Sequence, residues 1–374
     1  MKKKSASGEN LFRALSVVLA VVTGAVASAL SFLSLDVSSA VLRTLITAAF
    51  ILVAFFIQLI IHEAGHLVFG LLTGYSFSSF RILSFMLKKE EGRIVLRKLN
   101  LSGTAGQCLM GPPEPVDGRV PYVLYNLGGV LMNLISAALS VFICLLLGTG
   151  GRGWYFFAVL AVVGIYLALT NGIPSGMGAV PNDGYNAAHL GKDPEAVDSF
   201  WKQLKISQQQ GEGIRLKDMP DEWFSLREGA DLNNPLIAAI AVFGENRAMD
   251  SKDFEKAGER IRLLCSEEVS IAPLYRALLV NDAVFLEVLE KGGEADLSAI
   301  REKETAAILK QMRAFPSVIR TEYAVAALAE NDRAKADSAM TAFEKTAKSY
   351  PNPIEIESER ELIGLVGKET ASDT

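Results

Sequence analysis

Residues 44–66 read TLITAAFILVAFFIQLIIHEAGH. The first 18 of them carry no charge and are apolar apart from Thr44, Thr47 and Gln58. That is close to the roughly 20 residues a helix needs to cross a bilayer. The run passes without a break into His62-Glu63-Ala64-Gly65-His66. On a helix, residues four apart share a face, so His62 and His66 point the same way. Two imidazoles so placed can hold one Zn²⁺, and Glu63 between them can act as base on a metal-activated water. Two of the chain's three histidines lie in this motif. Ionisable groups at the end of an apolar span are costly to place, which marks them as a candidate functional site.

Outward from this stretch, the chain divides by charge. Residues 1–190 hold 13 Lys and Arg against 8 Asp and Glu, whereas residues 191–374 hold 24 against 34. Half of all residues are hydrophobic. The fold class expected is an α-helical membrane protein of about four transmembrane helices with a small β-hairpin region, followed by a C-terminal all-α soluble domain. The expected domains are 1–190 for the membrane part, 191–367 for a cytoplasmic helical part and 368–374 for a disordered tail. No basic patch points to nucleic acid. Cys108, Cys144 and Cys265 are scattered and odd in number, which excludes a disulfide framework and CxxC metal spacing.

The basic N-terminus, with Lys2, Lys3, Lys4 and Arg13, precedes an apolar run over 14–35. Ala27-Ser28-Ala29 resembles a signal-peptide cleavage site, but the apolar run continues past it, so a retained first span is expected. The charge bias keeps its start in the cytoplasm. The second span runs inward over 41–72, and Lys88, Lys89, Arg93, Arg97 and Lys98 after it are a cytoplasmic signal. The expected location is the cell membrane, multi-pass, with both termini cytoplasmic. HEAGH then lies towards the cytoplasmic side.

FRILSFML (80–87) and RIVLRKL (93–99) read as a β-hairpin turning at Glu91-Gly92. Its strands offer either an edge to which an extended substrate could pair or a plain amphipathic hairpin on the membrane surface. Residues 111–115, GPPEP, are a turn-rich linker. A third span over 120–147 carries Asn126, Gly128, Gly129 and Asn133. These residues form either a helix-packing face or, through an inward amide, a support for a tetrahedral oxyanion. A fourth run over 154–170 leads into NGIPSGMGAVPNDGYNAAHL (171–190). Pro174, Pro181 and the glycines Gly172, Gly176 and Gly178 break the helix there. Such a break at membrane depth needs a covering of protein or a water-filled cavity. Asp183 in this break is the candidate third metal ligand, with His189 as its competitor.

From 191 on, helix pairs are expected at 235–246 with 252–265, 272–292 with 297–315, and 317–331 with 333–351. Their spacing suggests either a small array like tetratricopeptide repeats or an irregular helical bundle.

Three elements arrive in order: HEAGH at 62–66, GGVLMN at 128–133 and NGIP…NDG at 171–184. Together they resemble the site-2 protease family of intramembrane zinc metalloproteases, over roughly residues 40–190. The resemblance implies that His62, His66 and Asp183 bind Zn²⁺ and that Glu63 is the general base. It further implies that Asn133 and Asn171 lie near the scissile peptide of a transmembrane protein substrate, cleaved by regulated intramembrane proteolysis. Asn171 and Asp183 stand twelve apart, a longer loop than in many members, and no PDZ-like insertion separates the second and third spans. A zinc protease whose third ligand is Glu is disfavoured, because no downstream Glu lies in an apolar helix of the membrane half. The alternative to an enzyme is a catalytically silent membrane adaptor that recruits a protein partner through its C-terminal helices.

Overall fold

The computed structural model of the chain describes residues 2–90, 92–98, 105–175, 181–269 and 271–372, with those at 2–10 and 368–372 described as backbone alone. The fold is mostly helical, with a small antiparallel sheet of four strands. Contacts divide it into two units, Met1–Leu83 with Thr104–Asp193, and Ser84–Gly103 with Pro194–Thr374. Residues 84–103, inside the first of the expected domains, thus group with the second unit.

The first unit holds four helices long and apolar enough to cross a membrane: α1 (Lys2–Ser34), α2 (Ala40–Leu72), α3 (Tyr122–Leu147) and α4 (Gly151–Gly172). Their packing is inverted relative to a water-soluble bundle. Leu52, Leu139 and Leu145 face outward, while Gln58, His62 and Asn133 are buried. A seam of Ala27, Ala54, Tyr155, Val159 and Val163 joins α1, α2 and α4. There Tyr155 Oη donates to Ala27 O at 3.0 Å. Helix α4 ends at Ile173-Pro174 because the proline ring disfavours helical backbone in the residue before it. A short helix, α5 (Asp183–His189), follows the break. Gly176 and Gly178 lie outside the described residues.

Strands β1 (Ser76–Ile82) and β4 (Gly106–Gly111) pair antiparallel in this unit. In the second unit β2 (Phe85–Glu90) pairs antiparallel with β3 (Arg93–Lys98). The β2–β3 pairing is the hairpin expected from the sequence, but its first strand starts at Phe85 rather than Phe80. FRILSFML is two strands, broken by a turn at Leu83-Ser84 where Leu83 takes φ +53°. Neither glycine, proline nor asparagine announces that turn, so the apolar pattern reads straight through it. Strand β4 was also unanticipated. The turn expected at Glu91-Gly92 includes Glu91, which lies outside the described residues.

The helices of the second unit are α6 (Pro194–Gly211), α7 (Pro235–Ser251), α8 (Phe254–Leu264), α9 (Pro273–Lys291), α10 (Ser298–Arg301), α11 (Lys303–Gln311), α12 (Pro316–Ala324), α13 (Arg333–Ala347) and α14 (Pro353–Ser372). Helix α14 carries helical backbone into the segment expected to be a disordered tail. Asn234, Asp253 and Asp332 cap α7, α8 and α13 by accepting from Leu236 N, Lys256 N and Lys335 N.

At the centre of this unit Arg320 is 1 % exposed and packs over the Phe285 ring. It donates to Asp282 on α9 and, at 2.8 Å, to Glu359 on α14. Burial pushes the Glu359 carboxyl up to about 7, with Arg320 opposing the rise. Glu245 on α7 is raised well above its ordinary value by the same burial. In contrast, hydrogen bonds from Arg215 and Lys252 hold the exposed-side Glu361 down at about 2. A carboxyl whose folded pKa is raised binds more protons folded than unfolded, so its stabilisation is complete below about 4.5 and is lost as pH rises through 7. Glu361 acts oppositely, losing its contribution as pH falls from about 4.5 to 2. Glu359 therefore contributes stability that falls by on the order of 2 kcal/mol between pH 5 and pH 8. The measurement is thermal unfolding of the full chain followed through Trp201 and Trp223, whose rings lie 5.8 Å apart. Glu359→Gln should flatten the slope between pH 5 and 8, and an unchanged slope in that variant would refute the assignment.

Candidate metal centre

Helix α2 delivers His62, Glu63 and His66 in one turn and its flank. The imidazole planes of the two histidines lie at 83° with centroids 4.9 Å apart. Two partners on α3 set the rings. His62 Nδ1 lies 2.7 Å from Asn133 Oδ1, and His66 Nδ1 lies 2.8 Å from Tyr125 O. Asn133 Nδ2 faces two acceptors, Gln58 O at 2.9 Å and Gln58 Oε1 at 2.8 Å. The amide can therefore turn only its oxygen to His62. Both Nδ1 atoms thus face oxygen acceptors, an arrangement that favours the Nδ1–H tautomer and turns both Nε2 atoms into the site.

Gln58, the lone amide in the apolar stretch, is fully buried and joins three helices. Besides accepting from Asn133 on α3, it donates to Leu160 O on α4 at 2.9 Å. Tyr125 is positioned in turn by donating from Oη to Cys108 O on β4 and by stacking on Tyr75 at 4.6 Å. Neither Gln58 nor Tyr125 is among the site residues expected from the sequence. Gln58 stood out only as the one polar exception in an uncharged run, and Tyr125 acts through a backbone carbonyl that no motif encodes.

The glycines of GGVLMN allow this approach. A Cβ at Gly65 would lie 2.2 Å from Gly128 O, so α2 and α3 meet backbone to backbone. A Cβ at Gly129 would lie 2.4 Å from the His62 ring.

The break after α4 brings in the third group. Asn182 bridges the break with all its side-chain capacity. Its Oδ1 accepts from Ser175 N and Tyr185 N, and its Nδ2 donates to Thr170 O and Ile173 O. This fixes Asp183 in the first turn of α5. Its Oδ2 lies 3.0 Å from His62 Nε2 and 3.5 Å from His66 Nε2, and the two Nε2 atoms are 3.3 Å apart. These three atoms lie within ligating distance of one another, and in the Nδ1–H tautomer both Nε2 lone pairs face the carboxylate oxygen. Asp183 Oδ2 is buried and lacks a hydrogen-bond donor. Two imidazole nitrogens and a carboxylate oxygen so juxtaposed fit a cation, and among the described residues His62, His66 and Asp183 form the group able to hold a metal ion.

Glu63 is buried at 7 % exposure and stands outside the ligand triangle. Strand β4 starts against it, since a Cβ at Gly106 would lie 2.4 Å from Glu63 Oε1. Arg81 on β1, fully buried, lies within the field of Glu63, and its guanidinium pKa is lowered by burial and raised in part by that carboxylate.

The other expected residues are placed otherwise. His189 stacks on Tyr185 at 4.4 Å, with Nδ1 3.3 Å from Tyr185 O, and takes no part in the cluster. Asn171 Nδ2 donates back to Leu167 O at 2.9 Å, and Asn126 Nδ2 likewise to Tyr122 O at 2.8 Å. Asn133 is committed to Gln58 and His62, so its amide protons are unavailable to an oxyanion. Its place in this structure is that of an orienting partner.

The chain matches no protein-family model, no curated protein and no solved structure.

Proposed function

We propose that this chain is an intramembrane zinc metalloendopeptidase of the site-2 protease kind, spanning the cell membrane several times with both termini in the cytoplasm. The observation that carries the reading is the convergence of His62 Nε2, His66 Nε2 and Asp183 Oδ2, with Glu63 buried next to them in the last third of the apolar helix α2. Zinc at these three ligands would supply Lewis-acid activation of water and of a peptide carbonyl. The chain's own residues do the rest. Asn133 and Tyr125 O hold the imidazoles as neutral Nδ1–H tautomers, the form a cation requires. Glu63 takes the proton of the attacking water and returns it to the leaving amine. A transmembrane substrate must unwind before its peptide bond is exposed. Among the described residues no strand pairs with the outer edge of β4, so the unwound segment could add there, beside Glu63. The C-terminal helices, read as an array similar to tetratricopeptide repeats, would recruit a protein partner.

The test is the purified full chain in nanodiscs with a panel of single-span proteins. Cleavage should stop on treatment with 1,10-phenanthroline and return on adding Zn²⁺. Cleavage that persists after the metal has been stripped and verified absent would refute the reading.

Asn133→Ala tests the tautomer argument. Without the Oδ1 acceptor, His62 is free to rotate and to move its proton to Nε2. Zinc affinity should fall about 10–100-fold in a competition titration against a chelator. An unaltered affinity would remove Asn133 from the role of orienting His62.

A further inference from the structure

The two faces of the β2–β3 hairpin have different surroundings. Its register pairs Phe85 with Lys98, Leu87 with Leu96 and Lys89 with Ile94, so these six side chains share one face. The four apolar ones are 53 %, 44 %, 63 % and 65 % exposed, for Phe85, Leu87, Leu96 and Ile94 respectively. Lys89 and Lys98 stand exposed at opposite corners, and Lys98 Nζ lies 5.5 Å from the centre of the Phe85 ring. The opposite face is occupied. Met86 is buried, and Lys88, 5 % exposed, donates to Pro351 O at 2.7 Å and to Asn352 Oδ1. The hairpin is thus fastened to the α13–α14 junction of its own unit by one face and leaves an apolar patch with a cationic rim on the other.

We propose that this outer face docks on an anionic lipid surface, with Phe85, Leu87, Ile94 and Leu96 entering the headgroup–acyl boundary and Lys89 and Lys98 meeting lipid phosphates. Two arguments commit the face to lipid. The rim is cationic, matching the negative cytoplasmic leaflet, and long lysine stems can keep their ammonium groups among headgroups while apolar neighbours sink below. Phe85 also follows Leu72, the last residue of α2, by thirteen positions, which limits its distance from that helix end to about 45 Å even for an extended chain. This step rests on the reading that α2 crosses a bilayer, which places a lipid surface within that reach.

The test attaches an environment-sensitive fluorophore at Ile94→Cys in the full chain. A parallel variant carries it at Leu139→Cys on α3. Signals are corrected by the unsubstituted labelled chain. Nanodiscs contain phosphatidylcholine alone or with phosphatidylglycerol, with brominated acyl chains as quencher. The expected result is a blue shift and quenching at position 94 in phosphatidylglycerol discs. Partitioning should weaken by about fivefold per lysine in Lys89→Glu and Lys98→Glu, and also in high salt. If position 139 is quenched and position 94 stays in water, docking is overturned while the membrane-spanning reading stands. If neither is quenched, the spanning reading falls and this proposal with it. Equal quenching in neutral discs and in the charge-reversed variants overturns the headgroup preference. Burial of the label in detergent without lipid assigns the face to a second copy of the chain and overturns the proposal.

Discussion

Glu63→Gln should lower peptide cleavage by about 10²–10⁴-fold or more while leaving the metal content of the protein unchanged. The reasoning is geometric. Glu63 flanks the ligand triangle without belonging to it, so the amide deprives the site of a proton acceptor but not of a ligand. Glutamine has the shape of the residue it replaces and keeps its place against Gly106, where little room exists. Packing and fold should therefore survive. Single-turnover cleavage of a reconstituted substrate, with zinc measured on the same preparation, checks both halves. Cleavage within tenfold of the unsubstituted rate would take Glu63 out of the chemistry. In cells, single-span proteins that accumulate with this variant would be candidate substrates.

Asp183→Ala should cost more than 100-fold in zinc affinity, beyond the roughly 10–100-fold that loss of an orienting partner costs. Cleavage should disappear with the metal. His189→Ala should keep both, because His189 is stacked on Tyr185 and stands apart from the cluster. The paired measurement matters because the two residues lie six apart in one segment. A general collapse of the break after α4 would affect both variants alike. Asp183→Asn adds a control, since it preserves the shape of the first turn of α5 while weakening the ligand. Stoichiometric zinc in purified Asp183→Ala would sink the three-ligand reading, and with it the proposed chemistry.

Much of the architecture was legible before any tertiary information. Uncharged runs of about 20 residues define α1 to α4, which are long and apolar enough to cross lipid. The pairing of His62 with His66 was legible too, since a spacing of four on one helix is a local relation. Caps such as Asn234-Pro235 and Asp332 likewise lie where a sequence reader looks for helix starts. The sheet was less legible. Leu83 turns the chain at a positive φ without a turn residue, and β4 is a six-residue strand containing two glycines.

What the residues determined by themselves, then, is the four long apolar helices and the local face carrying two imidazoles and a carboxylate. Only the tertiary structure decided which distant side chain meets that face. Asp183 stands 117 positions beyond His66, and its arrival depends on Asn182 spanning the break and on Gly65 and Gly128 letting two helices touch. The same holds for Asn133. Its amide could have served an oxyanion or a neighbour, and the choice was made by Gln58, whose two acceptors hold the amide nitrogen and leave the oxygen for His62. Periodicity reports relations within one helix, whereas a site of this kind is built from contacts between helices, which no local pattern records.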